Sequence, residues 1–185
     1  MERLLELDGQ FLLWLKDFFA HPLLDRMMIF VTSLANKGML WIAIGILFLF
    51  LGLREKKWRE RGLLVLLSLV LNAVVCNLLL KPLFSRTRPY DLLGYEILIR
   101  RLGDASFPSG HTSASFAAAT ALYAIDRRYG IAAYVLAVLI GFSRLYLGVH
   151  FPTDVFIGAI IGVLAAKAAQ ALLEKKLHFE FCSDK

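Results

Sequence analysis

The sequence predicts an all-α fold: a polytopic membrane helix bundle of about six transmembrane helices, preceded by an N-terminal interfacial helix. Three observations carry this. Of the 185 residues, 58% are hydrophobic and 19% charged, against about 45–50% and about 25% in a typical soluble domain. Apolar runs recur that meet or approach the roughly 20 residues needed to cross a bilayer. Basic residues gather in alternate connections between those runs, as they do in loops that stay in the cytoplasm. A chain of this length fits one membrane-embedded domain over residues 1–185.

Residues 1–8 carry Glu2, Arg3, Glu6 and Asp8. They lack the basic region, apolar stretch and small-residue cleavage site of a signal peptide, so the first apolar segment is expected to be retained. Residues 11–35 are hydrophobic but broken by Lys16, Asp17, His21, Pro22, Asp25 and Arg26. This pattern predicts an interfacial helix near 4–20, then a short first span near 23–35. Residues 38–53 are strongly apolar but short, and 62–80 are long and uninterrupted. Residues 113–125 are apolar and rich in small side chains; 131–147 and 155–173 complete six spans. Gly158 and Gly162 have the four-residue spacing that lets helices approach closely.

The connections sort by charge. Arg54, Lys56, Lys57, Arg59 and Arg61 lie in one, Arg127 and Arg128 in another, and Lys175, Lys176 and Lys185 in the tail. Six spans place all three on the cytoplasmic side. The opposing segment, 81–110, is also basic, with Lys81, Arg86, Arg88, Arg100 and Arg101; part of that charge is expected to serve chemistry. The net charge of +6 is compatible with anionic lipid, a phosphorylated substrate or nucleic acid, and the last fits a chain this hydrophobic least. Cys76 lies in an apolar run and Cys182 in the polar tail, a pattern that predicts neither a disulfide nor a metal site.

The unusual polar residues fall in three clusters. Lys81 to Arg88-Pro89 closes the third span, Pro108-Ser109-Gly110-His111 opens the fourth, and Ser143-Arg144 to His150 and Asp154 forms the corner between the fifth and sixth. The span count puts all three on the non-cytoplasmic side. Each has a plainer reading. The cations could snorkel at the interface, Ser109 could simply cap a helix, and a His–Asp pair could brace the corner. Together they fit better as a site for phosphate. Arg88 and Arg144 can bind it bidentately and Lys81 as a point charge. A helix start at Ser109-Gly110 aims N–H groups at an anion, and a carboxylate on one ring nitrogen of His150 leaves the other as a nucleophile. Which histidine attacks and which handles a proton stays open on the residues alone.

These clusters resemble the type-2 phosphatidic acid phosphatase superfamily, whose pattern is Lys-x6-Arg-Pro, Pro-Ser-Gly-His and Ser-Arg-x5-His-x3-Asp. Lys81 to Pro89, Pro108 to His111, and Ser143 to Asp154 match it without departure. The resemblance implies a metal-independent lipid phosphatase with no cofactor, acting on a lipid phosphate substrate within the bilayer and not on nucleic acid. It implies that His150 is the nucleophile of a phosphohistidine intermediate, Asp154 its orienting partner, and His111 the general acid and then base. Lys81, Arg88, Ser109, Gly110 and Arg144 become the phosphate pocket. Undecaprenyl diphosphate is the favoured substrate, with phosphatidylglycerol phosphate and phosphatidic acid behind it. A phosphotransferase of the same superfamily, a catalytically idle lipid-binding or translocating protein, and a purely structural membrane protein are the competing readings. The first needs another acceptor than water. The second would be signalled by loss of either histidine, and both are present. The pattern does not set the oligomeric state.

Overall fold

The computed structural model describes residues 2–177; Cys182 and Lys185 lie outside them. Among the described residues every regular element is helical. In chain order they are α1 (Glu2–Phe19), α2 (Pro22–Leu34), α3 (Met39–Leu51), α4 (Lys56–Ala73), a π-helical stretch (Val74–Leu80), α5 (Lys81–Phe84), α6 (Pro89–Leu93), α7 (Gly110–Ile125), α8 (Arg127–Tyr146) and α9 (Pro152–Leu177). Four runs are long and apolar enough to cross a membrane by length and composition: Pro22–Leu51, Lys56–Leu93, Arg127–Tyr146 and Pro152–Lys175.

The centre of the bundle is α7. Its Thr112, Ser113, Ser115, Ala117, Ala118, Ala119 and Ala121 are all buried, and these short side chains let α8, α9 and α4 pack around it. In lipid no hydrophobic force drives helices together, so close backbone approach and interhelical hydrogen bonds hold them instead. The glycines of α9 show how close that approach is. A Cβ on Gly162 would lie 2.2 Å from the Ser113 carbonyl oxygen, and one on Gly158 would lie 2.9 Å from that of Ser109. The spacing read from the sequence is therefore a packing seam. Trp41 of α3 is buried and donates its indole N–H to Ser115 Oγ at 3.0 Å. Large apolar side chains such as Phe50, Val70, Leu78, Val138, Phe156 and Leu164 are exposed on the outer faces, where a bilayer would cover them.

α3 and α4 run antiparallel, with Gly52 against Arg59, Leu49 against Gly62 and Gly45 against Leu66. α7 and α8 are joined by Asp126 alone, whose side chain caps α8 by accepting from the Arg128 N–H at 2.8 Å. His111 near the start of α7 and Tyr146 at the end of α8 therefore lie at one end of the bundle. This placement bears on the expected first span near 23–35. α2 touches that end along its whole length. Asp25 accepts from the Tyr146 hydroxyl at 2.6 Å, Thr32 accepts from Arg144, and Asn36, just past α2, meets His111 Nε2 at 3.2 Å. These contacts keep α2 at that end of the bundle. Lys37 and Gly38, both left-handed, then redirect the chain into α3.

α1 occupies the place of the expected interfacial helix. Leu7, Phe11, Trp14 and Phe18 form an exposed apolar stripe, while Asp8, Leu12 and Leu15 face inward and are buried. That division is the signature of a helix lying in an interface.

Candidate active site

The eight residues singled out from the sequence converge on this same end. Lys81 opens α5 after the π-helical stretch. Arg88 precedes Pro89 at the start of α6, and Ser109, Gly110 and His111 begin α7. Arg144 sits in the last turn of α8 and Asp154 in the first turn of α9, with His150 in the corner between them. Lys81, Arg88, Ser109, Arg144, His150 and Asp154 are all buried.

The corner is closely determined. His150 Nδ1 lies 3.6 Å from Asp154 Oδ2, and its Nε2 lies 3.4 Å from Arg88 Nη1. Asp154 is held from three other directions: by the Phe151 N–H at 2.9 Å, the Ser106 hydroxyl at 2.5 Å and Arg86 Nη1 at 2.6 Å. Burial pushes the His150 imidazole down to about 3. Arg88 and Arg144 reinforce the shift, and Asp154 opposes it. The ring is therefore neutral at ordinary pH and keeps a lone pair on one nitrogen.

The cations differ in how they are engaged. Arg88 donates Nη1 to the Val149 carbonyl at 2.7 Å, Nε to the Asp104 carbonyl at 2.9 Å and Nη2 to Asp104 Oδ1 at 2.7 Å. Lys81 pairs with the other oxygen of the same carboxylate. Asp104 thus bridges two of the three cations, and although burial pushes its carboxyl up, Lys81 and Arg88 hold it below the usual carboxylate range. Arg144 is the exception. It gives Nη1 to Thr32, but its buried Nε and Nη2 meet no acceptor among the described residues. Buried donors without partners are costly, and Arg144 lies within electrostatic reach of both His111 and His150.

Ser109 stands at the N-cap position of α7, yet its hydroxyl meets Thr112 Oγ1 at 2.9 Å and not a backbone N–H. Its own N–H donates to the Asp154 carbonyl at 3.0 Å, which ties the start of α7 to the start of α9. A Cβ on Gly110 would stand 3.4 Å from Asn77 Oδ1 and 3.9 Å from Lys81 Nζ, which places the start of α7 in contact range of the ammonium. A cavity of about 440 Å³ opens from this point, with Lys81, Asp104, Gly110 and His111 at its polar end and Ile42, Leu69 and Ala73 along its apolar side.

Sequence reasoning missed Asp104, Ser106, Arg86, Asp8, Thr32 and Asn36. Two of them carried a signal. Arg86 stands in Arg-Thr-Arg beside a residue already singled out, and Asp104 is a carboxylate shortly before Pro-Ser-Gly-His. The other four are contacts made across long sequence separations, which no local pattern announces.

The family model described as the PAP2 superfamily matches residues 61–177. A lipid A 4'-phosphatase of Porphyromonas gingivalis is 31% identical over 175 residues, covering 89% of this chain and 72% of the relative. The undecaprenyl-diphosphatase BcrC of Bacillus subtilis is 29% identical over 145 residues, covering 78% and 72%. The crystal structure of a transmembrane PAP2-type phosphatidylglycerolphosphate phosphatase from Bacillus subtilis superposes with a TM-score of 0.77 at 29% identity, covering 97% of this chain and 90% of that one.

Proposed function

The chain belongs to the PAP2 superfamily as a multi-pass membrane phosphatase, and on that premise we propose that it hydrolyses a lipid diphosphate or phosphate through a phosphohistidine on His150, with undecaprenyl diphosphate as the favoured substrate. The observation that carries the chemistry is the pair of buried, unpartnered Arg144 donors beside a neutral His150. A phosphoryl group spreads charge over three oxygens and needs donors where that charge develops. Arg144 offers two without breaking any contact. Lys81 and Arg88 add theirs once the substrate displaces Asp104.

In this reading His150 Nε2 attacks phosphorus while Nδ1 faces Asp154. The bond to the leaving oxygen breaks, and His111, held as the imidazolium once the anionic substrate offsets the neighbouring cations, gives that oxygen a proton. His111 then takes a proton from water, whose oxygen attacks the phosphohistidine; the N–P bond breaks and inorganic phosphate leaves. The general acid belongs on the leaving-group side, and His111 lines the cavity there. The apolar side of that cavity suits a lipid chain. The relatives named for a polyprenyl diphosphate, lipid A and phosphatidylglycerolphosphate support the substrate class.

The same reading gives five crossings: α3, α4 with its continuation to α5, α7, α8 and α9. α1 and α2 then lie on the extracytoplasmic face with the site. The three basic regions stay in the cytoplasm, so removing the expected first span moves the N-terminus and leaves the site's side unchanged.

Purified protein in detergent should release phosphate from undecaprenyl diphosphate with chelator present, and His150→Ala should abolish the release while the melting temperature is kept. Turnover by that variant would refute the nucleophile. A panel of lipid monophosphates and diphosphates ranks the substrates.

A further inference from the structure

Asp8 sits on an interfacial helix, nearly at the start of the chain and 146 positions from Asp154 by their numbers, yet its side chain is only 4% exposed. A buried carboxylate is costly unless paired and hydrogen-bonded. The partners of Asp8 all lead towards the candidate site. Its Oδ2 accepts from Arg86 Nη2 at 2.8 Å and from the Thr153 hydroxyl at 2.5 Å, and its Oδ1 accepts from the Thr153 N–H at 3.2 Å. The other face of the same guanidinium gives Nη1 to Asp154 Oδ1 at 2.6 Å and to Thr153 Oγ1 at 2.7 Å. The guanidinium carbon also lies 4.1 Å from the centroid of the Phe151 ring. Arg86 is thus a rigid fork shared between two carboxylates, one on α1 and one beside His150.

We propose that Asp8 is a positioning residue for the reaction: it holds Arg86 so that Asp154 keeps its orientation towards His150, and the competence of the site depends on α1 being seated. The inference rests on the proposed roles of His150 and Asp154. Its physical content is charge sharing. The Asp8 carboxylate offsets part of the positive potential that Arg86 sets at Asp154, so Asp154 keeps its full effect in favouring the imidazolium-like character that develops as His150 attacks. Without Asp8 that potential is no longer offset, and Asp154 is drawn towards Arg86. α1 supplies the lever. The face opposite Asp8 is the exposed stripe of Leu7, Phe11, Trp14 and Phe18, so insertion of that stripe into a lipid interface presses Asp8 onto the fork.

The test compares wild type, Asp8→Asn, Arg86→Gln, the double variant and His150→Ala in detergent–lipid micelles. Leu64→Ala, a buried change in the opposite half of the bundle, controls for lost stability. Asp8→Asn should lower kcat by about tenfold to a hundredfold, the range also seen for outer partners that orient metal ligands, with KM little changed. The double variant should be no slower than Arg86→Gln alone, because both changes act through one guanidinium. Leu64→Ala at an equal loss of melting temperature should keep its kcat. Additive losses, or an equal loss in Leu64→Ala, would reduce Asp8 to a structural brace and overturn the proposal. So would an unchanged kcat in Asp8→Asn. If Asp8→Asn does not fold, Asp8→Ser, which keeps a hydrogen-bonding oxygen, carries the same comparison. Absence of activity in wild type, or its survival in His150→Ala, would strike the proposed function itself and is read separately.

Discussion

At the scale of single residues, the cluster is a competition for cations. Lys81 and Arg88 already grip a carboxylate, and that carboxylate, Asp104, is half-exposed. In the proposed reaction it competes with phosphate oxygens for the same two cations. Asp104→Asn removes the competing charge and leaves the shape, so inorganic phosphate should inhibit the variant more tightly, by roughly tenfold, or about 1.4 kcal/mol. A product-inhibition constant measured on both proteins checks this, and weaker inhibition would mean that Asp104 organises the cations for phosphate. The cations and both histidines were legible in the sequence because such groups are expensive in apolar surroundings and their spacing is fixed by the helix ends that carry them. Asp104 was not, because a carboxylate in a polar loop is ordinary until folding sets it between two cations.

At the scale of elements, the bundle is held by backbones in contact. α9 lies so close to α7 that one added methyl at Gly162 would meet the Ser113 carbonyl at 2.2 Å. Gly162→Ala should destabilise the protein by about 1–3 kcal/mol through overpacking, seen as a lower melting temperature in detergent. Activity should fall with it, because α9 also carries Asp154. An unchanged melting temperature would show that the seam can open without loss. The helices themselves were largely legible: 113–125, 131–147 and 155–173 fall within or close to α7, α8 and α9, and the interfacial helix within a few residues of α1. α2 was not. Its hydrophobicity is that of a span, and its contacts with Tyr146, Arg144 and, just beyond it, His111 hold it at the site's end of the bundle. Hydropathy records what a segment is willing to touch and carries no direction.

At the scale of the whole molecule, the number of crossings decides on which side the chain begins. With five crossings the N-terminus shares the site's side of the membrane; with six it would lie opposite. Single cysteines decide this in a background with Cys76 and Cys182 replaced by Ser. Gln10→Cys and Glu96→Cys should react with an impermeant maleimide on intact cells, and Lys57→Cys only after permeabilisation. Protection of Gln10→Cys in intact cells would restore the sixth crossing. Charge asymmetry between loops predicts the same side for the site with five crossings or with six, because it depends on the order of the loops and not on the first segment.

The π-helical stretch Val74–Leu80 has a bearing on how the chain tolerates length changes. A π turn holds about one residue more than an α turn, and such stretches recur at functional sites. Here it lies directly before Lys81. Deleting one residue from it would let the helix relax to α pitch without a break in its hydrogen bonds. Lys81 would then stay close to its place beside Gly110, whereas the same deletion within the regular turns of α4 would rotate everything downstream by about 100° and draw it back by about 1.5 Å. A chain shortened in α4 would stay helical and apolar, yet its Lys81 ammonium would be turned away from Gly110. One surplus residue in the middle of a hydrophobic run, invisible to any measure of composition, marks where the chain can lose length without turning a charged side chain.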